Sequence, residues 1–578
     1  MAEQQPPTST FRVVIDGSPL PDHVERLMVS AVIDDNLNLP DLFTLTFRDP
    51  MRGVLDDAKV KIGSKVKVSI VTEATPSGEP LISGEVTALE AEVDPTGTFT
   101  VVRGYDESHR LFRGRVTETY TNATYADIAR KVAKRANLDT GQIDPTSPVH
   151  KHVSQANLND WQFLQRLARE VGYEVLVEDG KLDFRAPVNS TGAPGQARLS
   201  SEDPFQLVAG ANLLRLRATV TAAEQVKDVK VRGWDVSQKQ ALVGSAPAAT
   251  TSASLDVAPS DLAGKFGAPS YVGVNVPYGA QAEVDAAAKA LAEQIAGAFA
   301  ELDGVARGNP RLKAGAPVSL SLVGQPFDGK YTLTSSRHVY EPHTGYTTMF
   351  VVSGRQERSL LGLVSGGASG SGNGAPPPYP GVVSAQVTDV NDPDSLGRVK
   401  VKFPWLSDTY VSDWARTVHP GAGSNRGAVV LPEVNDEVLV AFEQGDVRRP
   451  YVVGGLYNGV DKPKLGNGLI DGSTGAVKRR GFVSKKGHLL VFFDDDADSG
   501  VALLTGDGKL KVSLNDSKTT VHVSSDGKVV IEGSQDVEIS AGASMHLEAK
   551  AALELKGKTV SISADGTVDV SGKMIKLN

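Results

Sequence analysis

Residues 521–577 read VHVSSDGK VVIEGSQD VEISAGAS MHLEAKAA LELKGKT VSISADGT VDVSGKM IKL, broken here at each apolar pair. The pairs are Val521/Val523, Val529/Ile531, Val537/Ile539, Met545/Leu547, Leu553/Leu555, Val560/Ile562, Val568/Val570 and Ile575/Leu577. The step between pairs is eight residues from Val521 to Leu553, then seven or eight. A spacing of two places both members on one face of a strand. The residue between them is usually polar: His522, Glu538, His546, Glu554, Ser561, Asp569 or Lys576, with Val530 the exception. Turn formers separate the pairs, among them Asp526-Gly527, Gly533-Ser534, Ala541-Gly542 and Asp565-Gly566. A fixed short period of strand plus turn is the mark of a β-helix or a related rod.

One such strand cannot enclose a core, because each rung offers only two inward apolar side chains. A single-chain β-helix builds its turn from several strands and repeats at about twenty residues. Three chains supplying one strand each per turn would satisfy an eight-residue period. The expectation is an intertwined homotrimeric β-prism over residues 504–578, with the pairs above as its core and no long edge exposed. An antiparallel meander with eight-residue spacing is the alternative, since regular alternation suits it too.

Composition bounds the rest. A chain of 578 residues holds roughly three to five domains. Net charge is −9, so no polyanion-binding field is implied. The chain has no cysteine, which excludes thiol catalysis and zinc–thiolate sites. The opening MAEQQPPTST lacks the basic and apolar regions of a secretory signal, and no stretch is apolar enough for a membrane span. The expected product is soluble and made in the cytoplasm.

Working back from the ladder, residues 460–503 form a neck with Ser484–His488, an apolar strand Leu489–Phe493 and an acidic cluster Asp494, Asp495, Asp496 and Asp498. Residues 381–459 hold about five short strands: Val382–Val390, Gly397–Phe403, Ser412–Thr417, Glu437–Phe442 and Tyr451–Leu456. That length and strand number suit an OB-fold, although the basic groove and stacking aromatics of a nucleic-acid binder are missing. Residues 363–380 are a Gly/Ser/Pro linker. Residues 206–362 read as a barrel-like unit with one alanine-rich helix at about Gln281–Leu302. Residues 1–205 read as another barrel, with a turn at Asp34-Asp35, a hairpin at Asp94–Gly97 and two inserted helices. The first helix starts at Thr124 with Asp127 as a capping box; the second runs from Asn159 to Val171 and stops at Gly172. The fold class is therefore mainly β and multidomain.

Residues 381–459 also carry a family resemblance. Asp392-Pro393, Gly397–Val401, Phe403-Pro404-Trp405, Trp414-Ala415-Arg416, Pro432-Glu433-Val434, Asp436–Val440, Gly445-Asp446 and Leu456-Tyr457-Asn458 resemble, in order, the OB-fold of VgrG spikes and phage baseplate spikes. Gly104-Tyr105-Asp106 and Asp160–Leu164 resemble the phage tail-hub domain more loosely. The linker and length are similar to spikes of extracellular contractile injection systems. The resemblance implies a trimeric hub joining an inner tube to a puncturing spike, with baseplate partners, a PAAR-type cap on the C-terminal end and contact with a target envelope only during firing. It also implies assembly into a phage-tail-like particle; without a secretory signal, exit is expected to use another machine or cell lysis. Its task would be mechanical, bridging sixfold and threefold symmetry.

Candidate chemistry is thin. Glu433, Asp436 and Glu437 would be the acid/base pair of a hydrolase, but they lie in a structural motif. His419 and Ser424 lack a third partner. The Asp494–Asp498 cluster lacks the glycine and glutamate of a calcium loop. His522 and His546 are expected to face outward. No catalytic, cofactor or metal residue is assigned, and no nucleic-acid partner. Two rival functions are a spike-borne cell-wall hydrolase, disfavoured by the short neck, and a receptor-binding fibre tip.

Overall fold

The computed structural model describes residues 10–71, 78–197, 203–342, 345–354, 379, 381–465, 468–495 and 497–576. The linker 363–380 lies outside these residues except for Tyr379, and so does Leu577. The chain divides into two compact units, Met1–Asn458 and Gly459–Asn578. It is mainly β, with an OB-fold in the first unit. No helix among the described residues is long and apolar enough to cross a membrane.

In the first unit the two N-terminal barrel segments share one sheet of eleven strands. Its spatial order starts at Leu213–Val220, Ala300–Arg307, Gly345–Val352 and Ser335–Glu341. It continues through Met28–Asn36, Leu42–Arg48, Gly97–Tyr105, Glu79–Asp94, Lys65–Val71 and Thr10–Ile15, and ends at the two-residue strand Ser18–Pro19. The join between segments is the antiparallel pairing of Val339 with Val32 and Arg337 with Asp34. Asp34 and Asp35 therefore lie inside a strand, not at the expected turn. Arg337 sits 3.6 Å from Asp34 across the strand pair, which offsets the poor strand preference of aspartate.

Two helices pack against a second core. Tyr125–Arg135 opens with a complete Thr124/Asp127 capping box, and Ile128, Ala129 and Val132 are fully buried. Asp160–Val171 is capped by Asn159, whose side chain accepts from the Gln162 N–H, and ends at Gly172 with φ +72°. Its Phe163, Leu164 and Leu167 join Tyr120, Val175 and Phe184 in one cluster. The alanine-rich helix is shorter than its composition suggests. It spans Gln281–Gly297, and Ala300–Arg307 is a strand. Alternation of Ala300, Leu302, Gly304 and Ala306 toward the core wins there, because partner strands flank it on both sides.

The OB-fold sheet runs in the order Lys400–Lys402, Val382–Asp389, Glu437–Phe442, Pro450–Gly455, Arg416–Thr417. Its core is Val387, Val401, Phe403, Tyr410, Val438, Val440 and Val452. In the second unit five antiparallel strands follow in sequence: Arg479–Val483, Leu489–Asp495, Asp498–Leu504, Leu510–Asn515 and Thr520–Ser525. Val521 and Val523 pair with Leu514 and Val512 in this sheet. Residues 504–525 are thus a meander continuous with the neck. Beyond Ser525 no paired strand occurs among the described residues.

Gly172 sits in the left-handed region, where a side chain is strained. Gly172→Ala is expected to cost about 1–2 kcal/mol, read as an earlier urea midpoint for the first unit with an unchanged slope.

Candidate functional site

Three features compete for the description of a working site: the ladder, the seam between hub and OB-fold, and the acidic or histidine clusters.

The ladder is the most distinctive. Val529, Ile531, Val537, Ile539, Met545, Leu547, Leu553, Leu555, Ile562, Val568, Val570 and Ile575 are all exposed, from 48% at Met545 to 72% at Ile531 and Ile562. Val521 and Val523, in the last paired strand, are 69% and 56% exposed. Within every described pair after Val523 the second member is more exposed than the first, so the repeat is regular in three dimensions as well as in sequence. A run of exposed apolar side chains of this length is a contact surface.

The seam is built from charges. Arg448 follows the Gly445-Asp446 turn of the OB-fold. Its guanidinium donates to both Asp446 oxygens, to Oδ2 at 2.8 Å from Nη2 and to Oδ1 at 3.1 Å from Nε, and to Glu170 of the hub helix at 3.3 Å. Tyr125 donates its hydroxyl to the other Glu170 oxygen. Arg448 is largely buried; burial alone would lower its pKa, but Asp446 and Glu170 outweigh that and raise it. Asp446 is held below the usual carboxylate range because Arg448 offsets the burial that would push it up. Beside them Arg166 donates to the Ser154 carbonyl at 2.7 Å, and its charge is disfavoured by burial and by Arg448. Two neutral bonds complete the seam: Ser154 Oγ with the Tyr410 hydroxyl at 2.8 Å, and His152 Nε2 with the Val411 carbonyl at 3.2 Å. The sequence shows Gly445-Asp446 only as a turn. The Asp446-Val447-Arg448 spacing, with Glu170 at the end of an amphipathic helix, is the one local hint of the network.

The candidate chemical residues are placed apart or paired off. The Glu433 N–H donates to Asp436 at 2.8 Å, forming a turn, while Glu437 accepts from the Asn458 amide at 3.0 Å. His419 Nδ1 accepts from the Val430 N–H at 3.4 Å, and Ser424 sits in an exposed two-residue hairpin between Ala422–Gly423 and Arg426–Gly427. In the acidic cluster Asp494 pairs with Arg480 at 2.7 Å, Asp495 lies near Lys478 and Arg479, and Asp498 pairs with Lys518 at 3.1 Å. Asp496 lies outside the described residues. These partners make the cluster a set of cross-strand ion pairs. His522 lies in the last paired strand opposite Ser513, and His546 is exposed with Glu548 at 3.8 Å. Among the described residues no group of three or more His, Asp or Glu could hold a metal ion.

The hub also gathers three carboxylates, Asp106 buried and Asp35 and Asp41 half-buried, of which the sequence reading noted Asp35 only in a turn and Asp106 only in a motif. Asp106 accepts from the Ser108 hydroxyl at 2.6 Å and the Asp41 N–H at 3.1 Å; Asp35 accepts from the Ala314 N–H at 3.2 Å; Asp41 accepts from the Asn36 N–H at 3.0 Å. Burial pushes Asp35 and Asp106 up to about 7, and Asp41 is raised as well by burial and by its two neighbours.

Comparison with known proteins places the chain. The family described as the Alg8 N-terminal domain matches residues 7–341, more than half of its length. The chain belongs to that family. Residues 383–457 match the type VI secretion system/phage-baseplate injector OB domain. Among characterised relatives, the type VI secretion system spike protein VgrG3 of Vibrio cholerae is 35% identical over 115 residues, 19% of this chain and 11% of the relative. VgrG2a of Pseudomonas aeruginosa is 29% identical over 152 residues, 24% of this chain and 18% of the relative. The matches thus span less than a fifth of these relatives. A solved Francisella PdpA–VgrG complex shares the fold, with a TM-score of 0.51, 10% identity and coverage of 90% of this chain and 88% of that one. Over the matched stretches the chain is similar to VgrG spike proteins.

Arg448→Met leaves Asp446 and Glu170 buried without their cation. The expected cost is about 3–5 kcal/mol, read in the unfolding of the first unit, with Tyr410→Phe costing about 1 kcal/mol. The hub carboxylates predict a pH dependence. Their folded pKa lies above the ordinary value of about 4, so the folded state holds more protons between about pH 4 and 7 and stability falls as pH rises through that window. Melting temperature measured at pH 5 and pH 8 should drop, and Asp106→Asn should shrink the drop.

Proposed function

We propose that the chain is the structural hub and membrane-puncturing spike of a contractile, phage-tail-like injection apparatus, working as a homotrimer that joins the inner tube to the tip. The observation that carries this is the ladder of exposed apolar pairs from Val529 to Ile575, on backbone with no strand partner among the described residues. Strands from two further copies would pair that backbone and cover those side chains together. Covering them contributes roughly 2–3 kcal/mol per pair. The OB domain and the names of the relatives support the same reading.

On this reading Val521 to Leu577 form the trimer core, and the protein is mechanical and not an enzyme. One relative is named as an actin cross-linking toxin, VgrG1 of Vibrio cholerae, 27% identical over 216 residues; activity is a property to be tested in each chain. The partners would be inner-tube and baseplate proteins, with a PAAR-type cap on the C-terminal end and the target envelope met during firing. The protein would be made in the cytoplasm and reach the outside within an assembled particle, released by lysis.

The mass in solution tests the trimer. Sedimentation should give three copies of the 61.0 kDa chain. Val537→Asp with Ile539→Asp should dissociate them, because six carboxylates would enter one rung of the core. A compact wild-type monomer at micromolar concentration would overturn the proposal.

A further inference from the structure

The apolar pattern does not by itself fix how three such chains align. Sliding one chain by a single octad keeps every apolar pair facing inward and loses only a terminal rung, so register must be specified elsewhere. The residues outside the pairs supply a candidate. If each chain gives one strand per turn, consecutive octads occupy consecutive turns, about 4.8 Å apart. Side chains at equivalent positions of neighbouring octads then stand next to each other.

Their signs alternate. Counted from the first residue of each pair, Lys528 meets Asp536, Glu548 meets Lys556, Lys558 meets Asp565, Asp565 meets Lys573 and Asp569 meets Lys576. His546 stands between Glu538 and Glu554. Lys550 with Lys558 is the single like-signed neighbour from 526 to 576. All of these side chains are exposed in the chain taken alone, and Glu548 already lies 3.8 Å from His546. In a slipped trimer, one side of the displaced chain meets identical octads. Lysine would then face lysine and glutamate would face glutamate, and like charges directly opposite are destabilising.

We infer that this outer charge pattern is the register-setting interface of the spike, a surface that recognises a second copy of the same chain offset by one octad. The inference rests on the trimeric reading of the ladder. It assigns Lys528, Asp536, Glu548 and Lys556 to partner alignment, and it places Glu538, His546 and Glu554 in one column.

Two measurements on the full-length chain test it. The first is a charge swap. Glu548→Lys places lysine beside Lys556 and should lower the trimer's melting temperature by roughly 4 °C at low salt, recovering in about 0.5 M salt, where exposed charges are screened. The double variant Glu548→Lys/Lys556→Glu should return to the wild-type value. The second uses the absence of cysteine. Ser544→Cys with Ala552→Cys places thiols one turn apart and should give disulfide-linked chains on oxidation, whereas Ser544→Cys alone should give none. Replacing Lys528, Asp536, Glu538, Glu548, Glu554 and Lys556 with uncharged residues should keep the trimer yet let Ser544→Cys link to itself. Failure of the double swap to restore stability, or a single register in the uncharged trimer, would overturn the inference while leaving the trimer standing. Loss of the trimer in the wild-type protein would remove the reading beneath it.

Discussion

A strand that carries two apolar side chains on one face and no neighbour on either edge cannot be stable alone in water. Its backbone donors and acceptors lack protein partners, and its apolar face is wet. Among the described residues, those past Gly527 pair with no strand and leave their apolar pairs exposed. The first unit obeys the opposite rule: the eleven-stranded sheet, the helical layer and the OB-fold each bury their own apolar faces. The contrast separates a part that buries its own apolar faces from a part that leaves them exposed. Stability and assembly would then be one quantity in the ladder and two in the hub.

The seam between hub and OB-fold uses a different currency. Arg448, Asp446 and Glu170 form a largely buried ion network, whose directed bonds fix the relative placement of the groups it joins. Apolar contact between the modules would tolerate sliding; a guanidinium shared by two carboxylates does not. The neutral bonds of Ser154 and His152 to the Tyr410 and Val411 neighbourhood fix the same interface from a second direction. A module meant to carry load from its neighbour gains from this kind of contact, because its orientation is set by directed bonds.

What the sequence revealed follows from distance along the chain. The capping box at Thr124, the helix stop at Gly172 and the hairpin at Asp94–Gly97 are local, and the structure has each where the residues put it. The OB-fold was legible because many short motifs occur in one order. The helix from Gln281 was read too long, since alanine-rich composition carries no boundary; only pairing with strands remote in sequence ends it. Asp34-Asp35 looked like a turn because its strand partner, Arg337, lies about three hundred residues away. The Arg448–Glu170 contact spans 278 residues and has no periodic signature at all. The neck and the start of the ladder merged into one meander because alternation is common to both architectures.

The two seven-residue steps in the ladder, after Leu553 and after Val568, show where the repeat can change length. Both omit a residue from the connection and spare the pair. A deletion within a pair would instead flip one of its apolar side chains to the outer face. Natural variation in the length of this repeat should therefore come in whole repeats, or in single residues trimmed from the connections. A gene encoding such a tail can be lengthened by tandem duplication without inventing any new contact.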